Sequence, residues 1–177
     1  MAFTKADQQT RRRTDGEPVS VERRVLVAVH SALWWVLVVG LVGLEIELLL
    51  LKHTDGVWQI VPLVLLGAGL LIALWYYRSR GAGAVVVLSG AMVVFLASGV
   101  AGTVLHYNGN VVYEQEANPG LSGRELYKAA VQGSTPTLAP GAMIQLGLLG
   151  LVVAFCGSRL GRANTGVDYT HTERAEP

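Results

Sequence analysis

Two carboxylates, Glu45 and Glu47, stand inside a long apolar run, where a charged side chain costs several kcal/mol unless it faces protein or water. Polar groups at comparable depth in later runs make a candidate buried cluster of Glu45, Gln145, Ser98 and Thr103, with Glu45 directed inward toward Gln145. Two histidines border the same region: His53 just past the first run and His106 just past the third. Neutral imidazoles and carboxylates are ligands for Zn, Cu or Fe, and histidines on facing helices also hold haem. His53, His106 and Glu47 are therefore the candidate metal ligands, although their spacing matches no strong ligand motif and the sequence requires no cofactor. Glu45 and Glu47 are two residues apart and point to different helix faces, so they do not form one carboxylate dyad. His30, near Arg23 and Arg24, reads as an interfacial histidine, and the lone Cys156 as core packing. No serine-nucleophile motif, CxxC pair, HExxH or GxxxxGK[ST] loop occurs, which lowers the expectation of a self-contained enzyme or a nucleotide site.

The elements that position these residues follow from how the apolar residues are distributed. Of the 177 residues, 51% are hydrophobic and 15% charged, and the apolar ones form four long runs nearly free of charge. A soluble domain interleaves apolar and polar residues at a period of two or 3.6, and these runs do not. The reading is an all-α, membrane-embedded four-helix bundle with spans at about 25–51, 60–77, 84–105 and 140–160. Residues 1–24 form a disordered basic leader, and 161–177 a polar tail. The first run is too long for a signal-peptide core and is read as retained. Pro62 and Pro140 suit first helical turns, where a missing N–H costs nothing. Trp34 and Trp35 are expected as an interfacial anchor, as are Trp75, Tyr76 and Tyr77 ahead of Arg78 and Arg80. Ser98 and Gly102 form a small-xxx-small step, and Gly67 and Gly69 also suggest close helix packing.

Cations set the orientation. Eleven of the 14 Lys and Arg residues lie in the leader, the 78–80 turn and the tail, leaving Lys52, Arg124 and Lys128 on the opposite side. By the positive-inside rule both termini are cytoplasmic, in an inner (plasma) membrane, and the 106–139 connection faces outward. Within it, Asn108-Gly109-Asn110 reads as a turn, Val111 to Glu116 as extended, and Asn118-Pro119-Gly120 as a second turn. Ser122-Gly123-Arg124-Glu125 fits a capping box, so a short extracytoplasmic helix, Glu125 to Gln132 and closed by Gly133, is expected across the bundle mouth.

The stretch Leu105-His106-Tyr107-Asn108-Gly109-Asn110 and the run Thr137-Leu138-Ala139-Pro140-Gly141 resemble uncharacterised small bacterial four-span integral membrane proteins. That resemblance covers the second half of the chain and implies no active residues. The partners expected are the lipid bilayer and either a second copy or a larger membrane complex. A net charge of +1 gives no field for nucleic acid. The leading functional expectation is a non-catalytic structural, assembly or accessory subunit. The alternatives are a redox, metal- or haem-handling protein, and proton or small-solute permeation through Glu45.

Overall fold

In a hydrocarbon solvent every backbone polar group must be satisfied within its own segment, so long apolar runs fold as helices. The computed structural model describes the backbone of residues 5–172 apart from 53, 55, 80 and 134, and the side chains of 21–161 with the same exceptions. Five helices follow in order: α1 Lys5–Leu50, α2 Val57–Ser79, α3 Ala82–Ala117, α4 Gly123–Val131 and α5 Gly141–Thr172. Four segments are long and apolar enough to cross a bilayer: Val21–Leu50, Val57–Ser79, Ala82–Ala117 and Gly141–Gly161. The chain is an all-α, multi-pass membrane protein. The helical backbone of α1 begins at Lys5, within the segment read as a disordered leader, and the side chains of 5–20 lie outside the described set.

The four spans form a ring. α1 packs on α2 and α5, α3 packs on the same two, and the diagonal pairs make no close backbone approach. Each neighbour runs antiparallel, giving one end that carries the 118–140 connection (the loop end) and one that carries the start of α1 and the end of α5 (the terminus end). Each helix contributes a seam spaced by three and four residues: Trp34, Leu37 and Leu41 from α1; Leu66, Gly69, Ala73 and Tyr76 from α2; Leu88, Met92, Phe95 and Gly99 from α3; Met143, Leu146, Gly150 and Val153 from α5. This is the knobs-into-holes period of helix bundles.

Glycine brings α3 and α5 together. A Cβ at Gly99 would lie 2.6 Å from Ile144 Cγ1 and 2.9 Å from the Pro140 carbonyl, and one at Gly102 would lie 2.8 Å from Pro140 Cβ. Gly147 is equally tight, 2.8 Å from the Met92 carbonyl. Between helices solvated by lipid, such close backbone approach is a main source of cohesion. The close approach falls on Gly99 and Gly102, while Ser98, the other half of the expected small-xxx-small step, is half-buried.

The loop end departs from expectation. α3 continues unbroken to Ala117, so residues 108–116 are helical and neither a turn nor extended. Its 36 residues span about 54 Å at 1.5 Å each, against a hydrocarbon core of about 30 Å, so its end projects beyond the apolar layer. The Asn118-Pro119-Gly120 turn is present and closes α3. α4 occupies the expected stretch, yet Ser122 makes no side-chain cap and the capping box is not formed; Gly123, at φ +57°, turns the chain there. α4 packs on α3 alone, beside its projecting end and not across the bundle mouth.

Candidate functional site

Glu45 lies one helical turn beyond Leu41 on the core-facing side of α1, half-buried, with Oε2 fully buried and without a hydrogen-bond partner among the described residues. The companion expected for it does not appear beside it. Gln145 sits on the exposed face of α5, because the seam that turns Met143, Leu146 and Val153 inward turns residue 145 away. Ser98 and Thr103 are half-buried, and the Thr103 hydroxyl donates 2.9 Å to the Gly99 carbonyl of its own helix. The four polar residues are therefore not gathered into one buried cluster.

Of the three proposed ligands, Glu47 and His106 lie among the described residues. Glu47 is exposed. His106 Nδ1 lies 3.0 Å from the Pro136 carbonyl, an acceptor only, so the proton of that bond belongs on Nδ1 and the imidazole ties α3 to the approach of α5. His53 lies outside the described residues. Among the described residues no group of three or more His, Cys, Asp and Glu side chains is placed to hold a metal ion.

Two polar networks that the sequence reading missed hold the two ends instead. At the loop end Asn110 is buried, and its Nδ2 faces the carbonyls of Ala130 at 2.9 Å and Thr135 at 2.7 Å and the Thr137 hydroxyl at 3.2 Å. Its Oδ1 accepts the Thr135 N–H at 3.2 Å, and the Thr137 hydroxyl donates to the Ala130 carbonyl at 3.2 Å. A Cβ on Gly133 would lie 2.6 Å from Asn110 Cγ, so glycine there lets the chain close over the amide. One side chain thus fastens the end of α4 and the strap leading into α5 to the flank of α3.

At the terminus end His30, expected at an interface, is 4% exposed, because the spacing His30, Trp34, Leu37, Leu41 puts it on the core seam of α1. Its Nε2 is 2.8 Å from the Tyr76 hydroxyl, which also lies 3.5 Å from the Val153 carbonyl, so one polar contact joins α1, α2 and α5. Added carbon at Gly157 would collide with that hydroxyl. Trp34, likewise expected as an anchor, is buried and donates Nε1–H to the Ala73 carbonyl at 3.1 Å while stacking on Tyr77 at 4.3 Å. Trp35 remains exposed.

No family model, curated protein or solved structure matches the chain. Chemistry must therefore be judged from these groups alone. The His30–Tyr76 and Asn110 networks fasten helices to one another, Cys156 is half-buried as a free thiol, and Glu45 Oε2 is a buried side-chain oxygen left without a partner among the described residues.

Proposed function

We propose that this chain is a non-catalytic structural, assembly or accessory subunit of a membrane complex. It resides in the plasma membrane with both termini cytoplasmic and the α3–α4 hairpin outside. The orientation rests on the segregation of cations toward the terminus end. The observation that carries the function is the hairpin itself: a helix projecting from the bilayer, locked to α4 by Asn110, on which Tyr113 and Tyr127 are 56% and 58% exposed and Val112 and Val131 are exposed as well. Rigid aromatic groups on a fixed support are what protein interfaces favour, since little conformational entropy is lost on docking. Affinity purification from native membranes tests this. The wild type should recover a stoichiometric membrane partner, and Tyr113→Ser with Tyr127→Ser should lose it while remaining folded. A stoichiometric metal or a Soret band in the purified protein would contradict it.

A second reading rests on Glu45. A carboxyl oxygen without a partner in a span is the kind of group that takes up a proton or small solute. Under that reading Glu45→Gln folds normally and abolishes proton flux in reconstituted vesicles.

A further inference from the structure

Gln145 carries an inference that rests on the subunit reading and gives it a partner. The residue lies within the fourth span, four residues or about 6 Å past its loop-end start at Gly141. A Cβ on Gly40 of α1 would meet Leu146, which puts the two at one level, and α1 continues ten residues to Leu50, about 15 Å further toward the loop end. At that depth Gln145 faces away from the bundle and makes no hydrogen bond with any described residue of the chain. A carboxamide left in hydrocarbon forgoes both its donor and acceptor bonds, a cost that helix association removes.

The surrounding face is ordered. Gln145, Leu148, Val152 and Phe155 are all exposed and follow one another by three, four and three residues, the spacing of a coiled-coil seam. α5 thus has two seams, one buried through Met143, Leu146, Gly150 and Val153, and one facing out. Arg159 bounds the second seam at the terminus end, folded over the Phe155 ring at 5.0 Å. We infer that a second copy of this chain docks on this outer seam, forming a parallel, two-fold symmetric dimer. A two-fold axis along the membrane normal brings each seam residue near its own counterpart. A carboxamide is its own complement, so Gln145 of each copy donates to and accepts from the other. A single polar residue in an apolar seam also fixes register, as it does in soluble coiled coils.

The test uses the full-length chain in phosphatidylethanolamine–phosphatidylglycerol vesicles, counting subunits by single-molecule photobleaching as the protein is diluted in lipid. The wild type should dimerise, and Gln145→Leu should raise the dimer dissociation constant about 3- to 30-fold, the range that interhelical hydrogen bonds in membranes provide. Gln145→Asn should retain most of the affinity. In a Cys156→Ser background, Leu148→Cys should cross-link on oxidation and Val87→Cys, exposed on α3, should not. A dimer indifferent to Gln145→Leu with no cross-link at residue 148 overturns the inference and leaves the subunit reading standing. A monomer at every dilution also overturns it; co-purification from native membranes then decides the subunit reading separately.

Discussion

Replacing Asn110 with alanine should release the α4 hairpin without unfolding the bundle. The side chain is 1% exposed and engages the Ala130 and Thr135 carbonyls, the Thr137 hydroxyl and the Thr135 N–H. After truncation the Ala130 carbonyl still accepts from Thr137, so the groups losing a partner are chiefly the Thr135 carbonyl and N–H. A buried polar group left unsatisfied costs about 1–3 kcal/mol, and these two are only part-buried, so about 2–4 kcal/mol of local stability should be lost. Because α4 packs on α3 alone, the loss stays local. Hydrogen exchange in nanodiscs reads it directly: amides of α4 and of Thr135 and Thr137 should exchange about 30- to 1000-fold faster, at roughly 1.4 kcal/mol per factor of ten. Amides of the spans should be unchanged. Asn110→Asp, which presents oxygen to two carbonyls, should be at least as damaging. Protection within threefold of wild type in α4 would refute the assignment of Asn110 as the fastener.

Gly99→Ala should destabilise the bundle by about 1–3 kcal/mol in a steric-trapping or detergent unfolding measurement, since its new methyl meets backbone atoms of Pro140 and Ile144. Gly67→Ala, with nothing within 4 Å, should be neutral, and equal effects at the two sites would count against close α3–α5 packing. Tyr76→Phe should cost about 0.6–1.7 kcal/mol in the same assay, as interhelical hydrogen bonds in membranes do, and no change would remove the His30–Tyr76 contact from the ledger. Glu45→Gln should accumulate in membranes as wild type does. Glu45→Lys should accumulate less, a mid-span lysine costing about 2.5–3.5 kcal/mol; normal accumulation of the lysine variant would contradict the inward position of residue 45.

The spans are legible because charge-free runs of such length have one natural solvent, and α4 because a helix start at Ser122 and a stop at Gly133 frame a short stretch, although the capping box that suggests the start does not form. What the sequence hid is which face of each span turns inward. In lipid both faces are apolar, so periodicity of hydrophobicity carries little phase information, and nothing local tells that the seam of α5 turns Gln145 outward. The nearby arginines point His30 to an interface, whereas its spacing of four and seven residues from Trp34 and Leu37 sets it on the core seam. Likewise Tyr76 follows Leu66, Gly69 and Ala73 at the buried period of α2. The extension of α3 through Asn108-Gly109-Asn110 went against local turn chemistry, because the Asn110 side chain is engaged by residues 20 to 27 positions later. That contact has no local signature.

Site-directed cysteine labelling tests the four-span topology most directly. In a Cys156→Ser background, single cysteines at Thr54, Ser79, Glu116 and Gly161, all exposed, are offered a membrane-impermeant maleimide in intact cells. The account predicts labelling at 54 and 116 and protection at 79 and 161 until the membrane is permeabilised. Labelling of 79 or 161 in intact cells, or protection of 116, would contradict it.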